Sequence, residues 1–77
     1  MDMNEFVKNF ADQFDTTEAA EFSEGTDFRQ LEEWDSMIAL SIIAMVDENY
    51  GVSISGEEMR AAKTLQELYD VVKQKKG

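Results

Sequence analysis

Apolar residues recur at helical spacing in three stretches of this 77-residue chain. The stretches near the two ends each carry one stripe, with apolar positions three and four residues apart. The central stretch, from Met37 to Val46, is apolar around most of its circumference. The stripes are Met3, Phe6, Val7, Phe10 and Phe14 near the N-terminus, and Leu65, Leu68, Tyr69 and Val72 near the C-terminus. The pattern predicts three main helices.

Capping residues indicate where the first two helices begin and end. Asp2 or Asn4 could cap the first, which should run for about three turns. Asp35 is a good N-cap for a central helix from about Ser36 to Asn49. Gly51, just beyond that helix, is a plausible C-cap.

The C-terminal third of the chain contains two predicted capping boxes. The first, residues 55–58, opens a short helix that ends near Ala62, with Met59 and Ala62 facing inward. The second, residues 64–67, begins the last helix. Residues 52–54 are too few to support a sheet and are interpreted as an extended connector.

Residues 15–35 form an unusually long connection, and such segments tend to be functional or internally folded. Phe28 and Leu31 allow one helical turn, capped by Asp27 or Thr26. The residues expected to pin this loop to the core are Phe22, Phe28, Leu31 and Trp34. The predicted fold is all-α. It is a small antiparallel four-helix bundle of three main helices and a short third helix, forming one domain over residues 1–77.

Composition removes several function classes. The chain has no Cys and no His, so it offers no cysteine nucleophile, no Ser-His-acid triad and no plausible zinc site. Its net charge is −10, and residues 1–58 hold all but two of the 17 acidic side chains. This field repels nucleic acids and anionic membranes and attracts basic protein surfaces. The N-terminus lacks signal-peptide features, so a cytoplasmic location is expected. The protein is also expected to be a monomer.

Ser36 is the strongest candidate for chemistry. It falls in the first turn of the central helix, where backbone N–H groups lack partners and the helix dipole is positive. A phosphate bonded to its hydroxyl would therefore sit in a favourable field. The plain alternative is that Asp35 and Ser36 only cap the helix.

Taken together, these residues resemble the acyl carrier protein family over essentially the whole chain. The resemblance comprises an N-terminal amphipathic helix, the long loop with Phe28, Asp35-Ser36-Met37 opening helix two, Tyr50-Gly51 ending it, a short third helix and a capped fourth. It implies that Ser36 is the attachment site of 4′-phosphopantetheine, transferred from coenzyme A by a phosphopantetheinyl transferase. It also implies a non-enzymatic carrier whose arm holds acyl groups as thioesters for partner enzymes with basic docking patches.

The departures from this family concern pathway and docking. Carriers of fatty-acid synthesis usually have acids at the positions of Ile38 and Ser41, so a specialised pathway is favoured: polyketide, polysaccharide-modifying or aminoacyl. A helical wheel places Leu40, Ile43, Val46, Asp47 and Tyr50 toward the bundle. The opposite, candidate partner-docking face then includes Met37, Ile38, Ser41, Met45 and Glu48. That face either binds partners or is partly covered by the loop of residues 15–35 or by Trp34.

A rival hypothesis is an unmodified acidic helical adaptor or nucleic-acid mimic, in which Ser36 is only a cap. An enzyme is a more distant alternative. The adjacent pairs Glu32/Glu33 and Glu57/Glu58 are interpreted as solvated carboxylates rather than acid–base dyads.

Overall fold

The structure of the protein, a computed structural model, describes residues 2–77. Four helices follow one another along the chain: α1 (Met3–Ala11), α2 (Ser36–Tyr50), α3 (Gly56–Ala61) and α4 (Leu65–Lys76). α1, α2 and α4 contact one another pairwise. The predicted all-α fold is confirmed as a small helical bundle.

The helix ends follow the predicted caps with one exception. Asp2 accepts from the Asn4 N–H, and Gly51 closes α2 in the left-handed conformation, with φ of 66°. Ser55 and Glu58 form the reciprocal capping box of α3. Thr64 caps α4 by accepting from the Glu67 N–H. The prediction of a full capping box was wrong here, because the Glu67 side chain does not accept from the Thr64 backbone N–H. The Glu67 carboxylate instead accepts from the Thr64 hydroxyl, at 3.4 Å.

The core is built around a chain of aromatic rings. The Phe10 ring centroid lies 5.3 Å from that of Phe28 and 6.0 Å from that of Phe22. The apolar stripe extends past the end of α1, because the chain turns after Ala11 and still buries Phe14. The side chains with no exposed surface are Phe6, Phe10, Phe28, Ile42, Val46, Leu65, Leu68 and Val72.

The long loop between α1 and α2 has internal structure. Short 3-10 turns occupy Ala19–Glu21 and Phe28–Gln30, and only the second was predicted. Asp27 caps the second turn by accepting from the Arg29 N–H. All four predicted anchors pack on the core: Phe22 and Phe28 are buried, and Leu31 and Trp34 are partly buried.

The short third helix docks through its predicted inward residues. Met59 and Ala62 are both buried, and Val52 and Ile54 of the preceding extended connector are buried as well. Lys75 on α4 reaches the Glu58 carboxylate at 2.9 Å, which joins the two C-terminal helices. Glu58 therefore has a capping and pairing role while its carboxylate stays partly exposed to solvent.

The helical wheel of α2 was wrong in part. Ile42, Met45 and Val46 are the buried residues of this helix, whereas Leu40 is 62% exposed. α1 and α4 both pack on α2, so they select the strip that contains these three positions. Because α2 is apolar on nearly every side, hydrophobicity alone does not identify that strip.

Candidate functional site

Asp35 positions Ser36 at the start of α2. The Asp35 backbone is extended, and its carboxylate accepts from the Ile38 N–H at 2.8 Å. The Asp35 carbonyl accepts from the Ala39 N–H at 3.1 Å. Ser36 is exposed, and its hydroxyl makes no hydrogen bond within residues 2–77. A free hydroxyl is thus held at a capped helix terminus.

The start of α2 favours a negative charge near that hydroxyl. The N–H groups of Ser36 and Met37 have no backbone acceptor among the described residues, as expected for a first helical turn. They add to the positive end of the helix dipole. Phosphate groups commonly bind such termini for these two reasons. The geometry therefore suits a phosphate ester on Ser36.

A groove of about 530 Å³ lies beside Ser36, between α2 and α3. Its apolar wall combines Trp34 with α2 and α3 side chains, and two arginines also line it. The lining residues are Arg29, Trp34, Asp35, Ser36, Ala39, Leu40, Ile43, Gly56, Met59 and Arg60. The groove can accommodate a mainly aliphatic chain with a polar or charged group.

Glu33 clamps the long loop just before this site. One of its carboxylate oxygens accepts from the Asp15 N–H at 2.6 Å. The other accepts from the N–H and hydroxyl groups of Thr16 and Thr17, at 2.8–3.1 Å. These bonds, the one from the Asp15 N–H foremost, hold the pKa of Glu33 at about 2 against an ordinary 4.5. The partly exposed Glu33 carboxylate therefore also has a structural role, which the sequence did not predict.

Trp34 gives the same segment a second anchor. Its ring lies 4.9 Å from Phe28 and 6.4 Å, stacked, from Phe14, measured between centroids. The residues immediately before Asp35 are thus held by a carboxylate clamp and by the aromatic core. Because both anchors depend on tertiary contacts, they position the start of α2 relative to the bundle.

We expect Glu33→Gln to destabilise the fold at neutral pH. Because the folded pKa of about 2 lies below 4.5, the ionised clamp stabilises the protein above pH 4.5. That stabilisation is lost as the pH falls from about 4.5 to about 2. The parent and the variant should therefore become more similar in free energy of unfolding across this pH range. Urea unfolding at a series of pH values measures the effect.

Glu32→Gln is the matched control for this prediction. Glu32 is an exposed neighbour that makes no hydrogen bond among residues 2–77, so its substitution should have a smaller effect. Two results would contradict a stabilising role for the Glu33 carboxylate. One is an equal loss of unfolding free energy in both variants, and the other is a loss in Glu33→Gln that does not vary with pH.

The predicted docking residues differ in their exposure to solvent. Met37, Ser41 and Glu48 are exposed, with Met37 at 71%. Ile38 is partly buried and packs against the core. Met45 is only 4% exposed, so its placement on the outer face was wrong. Leu40 replaces it as the second strongly exposed apolar side chain of α2.

The roles of three residues around the site, Glu33, Arg29 and Arg60, were not predicted from the sequence. Glu33 gave no local signal, because its partners lie 16 to 18 residues away in the chain. Arg29 and Arg60 come from opposite sides of α2 in sequence and meet only in the fold. One signal was available: they are the chain's only arginines, and Arg29 is one of two bases within residues 1–58.

Comparison with known proteins accounts for this arrangement. A family model described as a phosphopantetheine attachment site matches residues 4–72, nearly the whole chain. No curated protein matches it. No helix within residues 2–77 is long and apolar enough to cross a membrane. The free hydroxyl, the helix terminus and the groove beside it fit a phosphate ester with a long arm. The chain therefore belongs to the phosphopantetheine attachment site family, and its prosthetic group is 4′-phosphopantetheine.

Proposed function

We propose that Ser36 holds the 4′-phosphopantetheine arm and that the protein is an acyl carrier. One observation carries the assignment: within the matched range, the exposed Ser36 hydroxyl stands unpaired at the start of α2. When attached, the arm supplies a terminal thiol that carries acyl groups as thioesters. The arm thus supplies the thiol that this chain, which has no cysteine, does not itself contain.

The chain's own residues have positioning roles in this function. Ser36 Oγ loses its proton and forms the new ester bond to the phosphopantetheine phosphorus, while the pyrophosphate bond of coenzyme A breaks and adenosine 3′,5′-bisphosphate leaves. Asp35 keeps the α2 terminus ordered through the Ile38 N–H, and it presents the hydroxyl to the transferase. With no His or Cys nearby, the transferase supplies the base and the metal ion. We expect the carrier itself to catalyse no reaction.

The proposed partners are a phosphopantetheinyl transferase and enzymes that load or remove acyl groups. A specialised pathway is favoured over general fatty-acid synthesis, because Ile38 and Ser41 stand where acids are usual. Polyketide, polysaccharide-modifying and aminoacyl pathways all belong to this class. The strongly acidic chain attracts enzymes with basic docking patches. We place the protein in the cytoplasm, where coenzyme A and such enzymes are found.

The proposed docking surface consists of Met37, Leu40, Ser41 and Glu48 on α2. Met37 and Leu40 are the large apolar side chains that remain strongly exposed, and both lie within one turn of Ser36 or just beyond it. Ile38 contributes only its exposed part. Apolar contacts of this kind contribute most of the affinity, and surrounding charges mainly speed encounter.

We expect Met37→Asp to lower the efficiency of arm attachment about tenfold, since a buried apolar contact with the transferase is lost. Met37 is a better test position than Ile38, because substituting Ile38 also disturbs the core. The measurement is kcat/KM for arm attachment, from intact mass over time. Ala20→Asp adds the same charge at an exposed loop position and should have little effect. Similar losses in both variants would reduce the docking assignment to a charge effect.

The function is tested by incubating the protein with coenzyme A, Mg²⁺ and a broad-specificity phosphopantetheinyl transferase. We expect the intact mass to rise by one phosphopantetheine, and peptide mapping to locate the group on Ser36. Absence of any gain, with the transferase active on a known carrier, would favour an unmodified acidic adaptor. Attachment at another residue would reject the assignment of Ser36.

A further inference from the structure

Two arginines line the groove beside Ser36. Arg29 comes from the 3-10 turn before α2, and Arg60 comes from α3. They are the only arginines in a chain of 17 acidic residues. Asp35 is the acidic residue that shares the groove, and its carboxylate caps the Ile38 N–H. The groove therefore concentrates positive charge on a strongly negative protein.

Neither guanidinium has a carboxylate partner within residues 2–77. The ion pair found among these residues joins Lys75 and Glu58. Arg29 Nη1 donates to the Arg60 carbonyl at 2.8 Å, which ties the loop to α3. Arg29 Nε is fully covered and has no acceptor among the described residues. Native proteins rarely leave a buried donor unpaired, since this costs free energy. The tie to α3 thus accounts for only part of the hydrogen-bonding capacity of Arg29.

The chemistry of the two guanidinium groups suits an anionic ligand. Guanidinium groups bind carboxylates and phosphates through paired, charge-assisted hydrogen bonds. The other walls of the groove are mainly apolar and suit the aliphatic part of a carried group. Ser36 opens on the same groove, so a group attached to it is already near both arginines. An attached anion would give the two guanidinium groups the charged partner that the described residues do not supply.

We propose that Arg29 and Arg60 bind an anionic oxygen group carried on Ser36, which is either the phosphodiester of the arm or a carboxylate on the acyl cargo. This proposal rests on the proposed function. If the carboxylate is the source, the carrier selects dicarboxylic acyl groups. If the phosphodiester is the source, the pair orients the arm over the groove and leaves the cargo unspecified.

The test compares four forms of the protein: unmodified, with the free arm, with a butyryl arm and with a succinyl arm. Butyryl and succinyl have the same number of carbons, and only succinyl ends in a carboxylate. Intact mass first verifies each form, so failed loading, which contradicts the proposed function, is recognised separately. The readouts are melting temperature and the two arginine Nε–H signals in ¹⁵N–¹H NMR spectra. Arg60→Lys assigns these signals.

If the cargo carboxylate is bound, the succinyl form alone should show shifted arginine signals, and it should melt about 4 °C or more above the butyryl form. If the phosphodiester is bound, the signals should shift already with the free arm and change no further. Either pattern supports the proposal. Unshifted arginine signals in all verified forms would overturn the proposal. The two arginines would then be candidates for binding a partner protein instead.

Matched variants separate binding from folding. Arg60→Gln removes a guanidinium but keeps the backbone carbonyl that Arg29 contacts, so the fold should persist. It should abolish the gain in melting temperature. Lys63→Gln removes the same charge at an exposed position outside the groove and should preserve the gain. A gain that survives both Arg60→Gln and Arg29→Gln would overturn the proposal.

Discussion

Ser36→Ala should abolish attachment of phosphopantetheine completely while leaving the fold unchanged. The substitution removes the only atom proposed to form the ester, and no neighbouring hydroxyl occupies the same place in the turn. Stability should change by less than about 0.5 kcal/mol, because Ser36 is exposed and makes no side-chain hydrogen bond within residues 2–77. The Asp35 cap, which does stabilise the helix start, is retained. Intact mass after complete reaction of the parent measures the loss.

Ser41→Ala is the matched control on the same helix. Ser41 is also an exposed serine of α2, but it does not follow a capping aspartate at a helix terminus. This variant should accept the arm to the same extent as the parent, although docking at Ser41 could slow the reaction. Full attachment to Ser36→Ala would contradict the site, and loss in both variants would point to damaged docking.

Phe28→Ala should remove a large part of the stability of the fold. Phe28 has no exposed surface, and its ring lies 5.3 Å from Phe10 and 4.9 Å from Trp34. Truncating such a buried ring costs about 3–5 kcal/mol, from lost burial and the cavity that remains. Small domains have only about 5–15 kcal/mol in total. The long loop should detach first, because Phe28 is one of its main anchors.

Urea unfolding followed by Trp34 fluorescence measures this effect, since the indole contacts Phe28 directly. Phe28→Leu keeps an apolar side chain in the cavity and should cost clearly less. Met37→Ala is an exposed control that should leave the unfolding midpoint nearly unchanged. A loss below about 1 kcal/mol for Phe28→Ala would show that the loop is held mainly by other contacts, Glu33 among them.

Prediction from sequence succeeded where local chemistry decides the outcome. Asp35, Ser55 and Gly51 act within a few residues of themselves, so capping rules located their helix ends. The stripe of α1 likewise identified buried Phe6 and Phe10. Asp35 and Ser36 could be singled out for the same reason: a helix start with an exposed hydroxyl is a local arrangement.

Prediction failed where the outcome depends on what packs against a residue. α2 is apolar on most sides, so only its contacts with α1 and α4 decided that Met45 is buried and Leu40 exposed. No structural role was predicted for Glu33, yet residues far away in sequence bring five donors to its carboxylate.

Periodicity and capping act over one or two helical turns. The sequence was therefore enough to predict the helical fold class, the residues at which the helices begin, and Ser36 at the start of α2. Tertiary structure alone decided which apolar side chains of α2 remain exposed, how Glu33 and Trp34 hold the segment before Ser36, and that Arg29 and Arg60 share one groove. The reason is physical: burial, paired charge and cavity shape depend on distances between elements, which no short stretch of chain encodes.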